Sequence, residues 1–222
     1  MTRGLFITGT DTGVGKTVVA CALLRAYSMQ GLRAVGMKPI AVGLASDASC
    51  NDDVAALAGA SNVRAPQPSR NPYEFVPAIA PHVAARAAGV AIDLGRIRAA
   101  FDDLATRADR IVVEGAGGAL VPLDERRDML DIAQVLSLPV LLVVGMRLGC
   151  LNHALLSALA IRARALPFTG WVANCIDPAF AAAEANIATL EQRLAAPRIA
   201  TIAWGGAAEV QWATGATLPG RM

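Results

Sequence analysis

Short, continuously apolar runs alternate along this chain with longer segments of helical periodicity, and this alternation restricts the fold more than any other feature. Runs such as Ile111–Val113 and Val140–Val144 contain no polar residue, as expected of strands buried on both faces of a sheet. Such strands alternating with helices predict an α/β protein, with a mostly parallel sheet flanked by helices on both faces. The predicted strands are Leu5–Thr8, Ala34–Met37, Arg110–Val113, Val140–Val144, Phe168–Ala173 and Ile199–Ile202. The predicted helices are Lys16–Gln30, Asp52–Ala60, Asp93–Arg107, Met129–Leu136, Leu151–Ala165 and Phe180–Leu194.

Two segments lack this alternation. Ala65–Pro81 contains five prolines and is predicted to be a long loop, because proline interrupts helices and strands. The final segment, Gly205–Met222, is rich in Gly, Ala and Thr and carries little pattern.

Composition and charge disfavour several classes of protein. The 222 residues are 55% hydrophobic, and this length predicts one large domain or at most two small ones. No linker or internal repeat stands out, which favours a single domain over residues 1–222. The longest apolar stretch, Val135–Met146, is shorter than the roughly 20 residues of a membrane-spanning helix, so no membrane partner is expected. The net charge of +2 gives no electrostatic case for binding nucleic acid. The cysteines are widely separated, which disfavours disulfides or a zinc site and favours a cytoplasmic protein; they are Cys21, Cys50, Cys150 and Cys175.

The segment Gly9–Thr17, with the sequence GTDTGVGKT, joins the first predicted strand to the first predicted helix. A glycine-rich loop that ends in Gly-Lys-Thr in this context is the phosphate-binding loop (P-loop) of nucleoside triphosphatases. The backbone N–H groups of the loop and of the helix N-terminus bind phosphate. Lys16 is predicted to reach the β- and γ-phosphates, and the Thr17 hydroxyl to bind Mg²⁺.

Further charged residues lie where predicted strands end, and in a parallel sheet that edge binds ligands. Glu114 ends the third predicted strand and precedes the small residues Gly115–Gly118. It is predicted to hold Mg²⁺, the alternative being an exposed carboxylate on a flexible loop. Lys38 follows the second strand and could neutralise a transferring phosphoryl group, although alone it could equally be a surface lysine. Asp52 and Asp53 open a helix; one could be its N-cap and the other could reach the metal.

Taken in order, several segments of the chain resemble the dethiobiotin synthetase family, which belongs to the P-loop NTPases. The matching segments are Gly9–Thr17, Lys38–Pro39, Asn71–Phe75, Pro81–His82, Val113–Gly118, Leu148–Ala154 and Gly170–Asn174. The resemblance implies an ATP-dependent ligase of biotin biosynthesis. In that reaction 7,8-diaminononanoate takes up CO₂ as a carbamate, ATP phosphorylates the carbamate, and the second amine closes the ureido ring. The resemblance also implies Mg²⁺ as cofactor and a homodimer with the substrate site at the subunit interface.

The resemblance also implies a role for each matching residue. Lys16 and Lys38 would be catalytic, and Thr17, Asp53 and Glu114 would hold Mg²⁺. Asn174 would read adenine, with Ala203–Gly205 lining the base pocket. The predicted ATP-binding residues are Gly13, Val14, Gly15, Lys16, Thr17, Val18, Asp53, Glu114, Gly115, Ala116, Gly117, Asn174, Cys175, Ala203, Trp204 and Gly205. The predicted substrate-binding residues are Thr12, Lys38, Val42 and Gly118, together with Gly149, Cys150, Leu151 and Asn152, which would come from the second subunit.

A second interpretation is a switch ATPase of the ParA/MinD type, which acts through a protein partner. Such proteins usually carry an additional lysine early in the phosphate loop. Residues Thr10–Gly13 contain none, and this counts against the switch interpretation.

Overall fold

A seven-stranded sheet forms the centre of the protein. The structure is a computed structural model, which describes residues 4–44, 50–205 and 210–212. The strands are β1 (Gly4–Gly9), β2 (Ala34–Met37), β3 (Ile40–Val42), β4 (Tyr73–Phe75), β5 (Arg110–Gly118), β6 (Val140–Met146), β7 (Phe168–Cys175), β8 (Arg198–Ile202) and β9 (Val210–Trp212). The helices are α1 (Lys16–Met29), α2 (Asp52–Ala60), α3 (Gln67–Arg70), α4 (Pro81–Ala87), α5 (Leu94–Arg107), α6 (Met129–Leu136), α7 (Cys150–Ala163) and α8 (Ala183–Arg193).

The strand order of the main sheet is β2-β5-β1-β6-β7-β8-β9. The first six strands are parallel, which confirms the predicted mostly parallel sheet. The seventh, β9, runs antiparallel to β8, with Ile202 opposite Val210. β3 and β4 form a separate two-stranded parallel sheet.

Each central strand contributes to two hydrophobic cores, one on either face of the sheet. Phe6 of β1 clusters with Ile97 of α5 and Ile132 of α6. Its neighbour Ile7 clusters with Leu23 of α1 and Leu57 of α2 on the opposite face. Because successive side chains of a strand point to opposite faces, both faces must be covered, and the predicted helices on both faces are confirmed.

Local sequence features explain where α1 and α2, which begin near the carboxyl edge of the sheet, start. α1 follows Gly15, whose φ of 86° is left-handed and which makes no side-chain cap. The first N–H groups of α1 therefore remain available to a ligand. α2 is capped by Asn51, whose side chain accepts a hydrogen bond from the Asp53 N–H at 3.0 Å. The cap is thus neither of the two aspartates proposed for it, and both belong to the first turn.

Several elements differ from the predictions. The predicted loop Ala65–Pro81 contains α3 and β4, and α4 begins at its last residue. Its proline-rich sequence hides this structure because β4 depends on pairing with β3, a contact remote in sequence. β5 continues past Glu114 to Gly118, α8 begins at Ala183 rather than Phe180, and β9 lies in the tail that showed no pattern. Of the tail, residues 206–209 and 213–222 lie outside the described residues.

Among the described residues, the helices are too short or too polar to cross a membrane.

Candidate active site

The phosphate loop is fixed by contacts to several neighbouring strands. The Thr10 N–H donates to the Val143 carbonyl of β6 at 2.9 Å, and the Asn174 Nδ2 of β7 donates to the Val14 carbonyl at 2.8 Å. Gly13 and Gly15 have φ values of 74° and 86°, which glycine adopts without strain. The loop is therefore held in shape before any phosphate binds.

Lys16 lies inside this loop. Its ammonium Nζ donates to the Asp11 carbonyl at 2.9 Å, and the residue is buried. Burial, followed by the repulsion of the nearby Lys38 ammonium, lowers the pKa of Lys16 to about 8. A desolvated cation beside the free N–H groups at the start of α1 is suited to bind an anion.

Lys38, Glu114, Asp53 and Thr17 form one connected cluster beside the loop. The Lys38 ammonium lies 2.7 Å from Asp53 Oδ2 and 2.6 Å from Glu114 Oε1. The Thr17 hydroxyl lies 2.8 Å from Asp53 Oδ1 and 2.9 Å from Glu114 Oε1. The strand order explains the cluster: β5, which carries Glu114, lies between β2, which Lys38 follows, and β1, which leads to Thr17.

The side chains of this cluster differ in burial, and burial is one of the causes that shift their pKa values. The side chains of Lys38 and Glu114 are 5% and 1% exposed, whereas that of Asp53 is 42% exposed. Burial alone would lower the pKa of Lys38, but the two carboxylates outweigh it and raise that pKa. Burial raises the pKa of Glu114. For Asp53, burial is outweighed by the Lys38 ammonium, which lowers its pKa.

The cluster presents more acceptor oxygens than protons. The Thr17 hydroxyl has one proton for two carboxylate oxygens, and the buried Glu114 Oε2 has no hydrogen-bond partner in the described part of the chain. Oxygen donors of this kind fit Mg²⁺, which is held through one or two carboxylates together with water and substrate phosphates. The described residues contain no group of three or more His, Cys, Asp or Glu with metal-ligand geometry, so a metal here would need ligands from the nucleotide.

A cavity of about 720 Å³ opens over the loop and the cluster. It brings together many of the predicted residues. They are Thr12, Gly13, Gly15, Lys16, Thr17, Val18, Lys38, Val42, Asp53, Glu114, Ala116 and Gly117. Its remaining lining residues were not predicted from the sequence; they are Ala78, Ile79, Ala80, Pro81 and Val121. The matching pair Pro81–His82 was the one signal that could have pointed to this wall.

Other predicted residues lie outside this cavity. Val14 and Gly115 are buried and do not line it, and Gly118 lines a smaller cavity of about 370 Å³. Cys175 ends β7, and Ala203–Gly205 follow β8 at exposed positions. Gly149–Asn152 form the start of α7, with Gly149 at a φ of 92°. Within one described chain, the start of α7 is thus not brought onto the Lys38 cluster.

Comparison with solved structures places the fold. The septum site-determining protein MinD of Pyrococcus horikoshii OT3, complexed with Mg-ADP, aligns with a TM-score of 0.55 and 18% identity, covering 91% of this chain and 81% of that one. A ParA family ATPase from Chlorobium tepidum TLS aligns with a TM-score of 0.54 and 14% identity, covering 91% and 85%. Fold and phosphate loop together define a P-loop nucleotide-binding protein. At these identities the likeness concerns the fold alone and does not favour the switch-ATPase interpretation.

Sequence comparison defines the family more narrowly. A family model described as "AAA domain" matches residues 3–209. A protein of Nitrosospira multiformis named ATP-dependent dethiobiotin synthetase BioD is 54% identical over 197 residues, covering 89% of this chain and 86% of its own length. The protein of the same name from Aromatoleum aromaticum is 48% identical and covers 98% of both chains. The chain belongs to the ATP-dependent dethiobiotin synthetase family.

Proposed function

We propose that this protein uses ATP to convert 7,8-diaminononanoate and CO₂ into dethiobiotin. Proteins named for that enzyme are similar in sequence to this chain over most of their length. The observation that carries the proposal at the level of the site is the second buried lysine. The Lys38 ammonium lies within 2.7 Å of the Asp53 and Glu114 carboxylates, beside the phosphate loop. A reaction that brings a second anion up to ATP needs a second cation there to neutralise the charge.

The reaction consists of three bond-forming steps. One amine of the substrate attacks CO₂ and loses a proton, giving a carbamate. A carbamate oxygen attacks the γ-phosphorus and displaces ADP, giving a carbamic–phosphoric anhydride. The second amine attacks the carbonyl carbon, loses a proton and expels inorganic phosphate, which closes the ring. The chain's task is positioning and charge neutralisation.

Lys16 and Lys38 divide that task in our proposal. When ATP binds, the Lys16 ammonium exchanges its hydrogen bond to the Asp11 carbonyl for contacts with the β- and γ-phosphates. The phosphate oxygens carry more negative charge than the carbonyl oxygen. Lys38 faces the carbamate and the transferring phosphoryl group. Its raised pKa keeps it protonated, so it neutralises charge as the two anions approach each other.

We propose that Thr17, Asp53 and Glu114 hold Mg²⁺ when ATP is bound. The ion would supply charge neutralisation at the phosphate oxygens. The unpartnered Glu114 Oε2 and the shared Thr17 proton support this assignment. The rest of the nucleotide is assigned to Gly13–Val18 and Gly115–Gly117 at the phosphates, and to Asn174, Cys175 and Ala203–Gly205 at the base.

Replacing Thr17 with valine tests the metal site. The change keeps nearly the same shape and removes the hydroxyl, so the Mg²⁺ concentration that gives half-maximal activity is expected to rise at least about tenfold. Thr17→Ser retains the hydroxyl and should stay within about threefold of the wild type in the same Mg²⁺ titration. Equal behaviour of the two variants would remove Thr17 from the metal site.

We further propose a homodimer in which the start of α7 of one subunit completes the substrate site of the other. Four exposed leucines support an interface here: Leu120, Leu148, Leu156 and Leu159 are 56%, 88%, 56% and 61% exposed. Leu156 and Leu159 lie three residues apart and so share one face of α7. In this arrangement, Thr12, Val42 and Gly118 contact the substrate from one subunit, and Gly149–Asn152 receive its carboxylate from the other.

Replacing Leu159 with glutamate tests the dimer. A buried, unpaired charge in the interface is costly, so we expect a monomer by sedimentation velocity and loss of most ring-forming activity, while ATP still binds. The matched control is Met29→Glu, since Met29 is 88% exposed on α1, on the opposite face of the sheet. It should leave both properties unchanged. A fully active Leu159→Glu monomer would contradict the shared site.

Two broader expectations belong to this proposal. The chain would act as a single domain, and it would work in the cytoplasm. The second is supported by the four cysteines, all of which are free.

The decisive assay supplies purified protein with ATP, Mg²⁺, bicarbonate and 7,8-diaminononanoate. We expect ureido product and ADP in equal amounts. ATP turnover that does not depend on the diamine, with no ring product, would overturn the proposed function and favour a switch ATPase.

A further inference from the structure

The segment Asn71–Phe75 matches the family in sequence, yet the proposed chemistry leaves it without a task. In the structure its first residue contacts the backbone of Lys38. Asn71 Nδ2 donates to the Lys38 carbonyl at 2.7 Å and to the Tyr73 carbonyl at 2.9 Å. The Lys38 N–H donates to the carbonyl of Arg70, the residue before Asn71, at 2.8 Å. Both backbone polar groups of Lys38 are therefore hydrogen-bonded, one to Arg70 and the other to Asn71.

Lys38 needs such support because of where it lies in the chain. β2 ends at Met37, which pairs with Val113 of β5, and β3 begins at Ile40 in the other sheet. Lys38 and Pro39 form the link between the two sheets, and proline has no N–H to donate. Buried backbone groups require partners, and here they are supplied by Arg70 and Asn71 instead of a neighbouring strand.

The segment that holds Lys38 is itself fixed. The Asn71 N–H donates to the Gln67 carbonyl at 2.7 Å, which ends α3. Ser69 of α3 donates to Asp103 of α5 at 2.7 Å. Hydrogen bonds thus connect α5 to α3, α3 to Asn71, and Asn71 to the backbone of Lys38.

The side chain of Asn71 has little freedom. The residue is 6% exposed, and its Nδ2 is committed to two carbonyl oxygens. Its Oδ1 is buried and has no hydrogen-bond partner in the described part of the chain. An unsatisfied buried oxygen is costly, and the two hydrogen bonds from Nδ2 to backbone carbonyls are the interactions that offset this cost.

We propose that Asn71 is a positioning residue for the reaction: it fixes the Lys38 backbone so that the ammonium reaches Asp53, Glu114 and the transferring phosphoryl group. The inference rests on the proposed role of Lys38. A reacting group displaced by about 1 Å can cost ~10² in rate. Asn71 is not among the residues that line the nucleotide cavity, so its loss should affect the chemical step and not ATP affinity.

The test compares Asn71→Ala with a matched control, Asn62→Ala. Asn62 Nδ2 also donates to a backbone carbonyl, that of Leu32, at 2.8 Å, but Asn62 contacts Ala34 at the opposite end of β2. We would measure kcat for ring formation, the Kd of ATP and the midpoint of thermal unfolding. For Asn71→Ala we expect kcat to fall about 10- to 100-fold, with the Kd of ATP within twofold of the wild type. For Asn62→Ala we expect a lower unfolding midpoint and unchanged kcat.

A double-mutant cycle adds a measurement that a merely structural role would not change. In a Lys38→Ala background, Asn71→Ala should lower the residual rate by less than about threefold, because the group that it positions is gone. Should Asn71→Ala not fold, Asn71→Ser takes its place in every measurement. A kcat within twofold of the wild type, or a full additional loss in the Lys38→Ala background, would overturn the inference. If the wild type itself forms no ring product, the proposed function fails instead.

Discussion

Replacing Lys38 with alanine is expected to lower kcat for ring formation by about 10²- to 10³-fold, the range found when a preorganised group that stabilises developing charge is removed. The Kd of ATP should change by less than about threefold, because Lys16 and the loop backbone still bind the phosphates. Kinetics of ring formation and calorimetry with ATP measure the two quantities separately. An unchanged kcat would refute the role given to Lys38, and a large rise in Kd would assign it to nucleotide binding.

The same substitution should also lower stability. Glu114 is fully buried, and removing one partner of a buried ion pair costs about 3–5 kcal/mol because the other charge is left behind. Arg33→Ala is the matched control, since it breaks an ion pair with Asp109 whose side chains are 61% and 37% exposed. Exposed pairs contribute about 0–1 kcal/mol, so that variant should unfold nearly as the wild type does and keep full activity.

Replacing Gly15 with alanine is expected to weaken ATP binding by about 2–5 kcal/mol, which combines left-handed backbone strain with the loss of a buried hydrogen bond. The added Cβ would lie 2.1 Å from Asn174 Nδ2, far inside contact distance. Asn174 cannot move aside without losing its bond to the Val14 carbonyl. Calorimetry should therefore give a Kd at least about 30-fold above that of the wild type.

Gly13 provides the comparison within the same loop. Its φ of +74° is as unusual as the +86° of Gly15, but a Cβ there meets nothing within 4 Å. Gly13→Ala should therefore lose only the strain contribution, about 1–2 kcal/mol. Equal losses in the two variants would mean that the contact with Asn174 contributes nothing to the phosphate loop.

Much of the fold was predictable because its signals are local. The apolar run Val140–Val144 specifies a doubly buried strand by composition alone, and it lies within β6. The elements that were missed depend on partners far away in sequence. β3 and β4 have three residues each and exist through pairing with one another, and neither Ile40–Val42 nor Tyr73–Phe75 has a periodicity long enough to be read alone.

The phosphate loop and the place of Lys38 directly after β2 were determined by the sequence itself, because each belongs to a short contiguous segment that follows an apolar strand. The tertiary structure alone decided which of these residues meet. Lys38 and Glu114 are 76 residues apart, and they touch because the sheet places β5 beside β2. The same applies to Asn51 as the cap of α2, to the wall formed by Ala78–Pro81, and to Asn71 on the backbone of Lys38. Each of these contacts depends on how strands are ordered and how connections pack, which no local pattern of residues encodes.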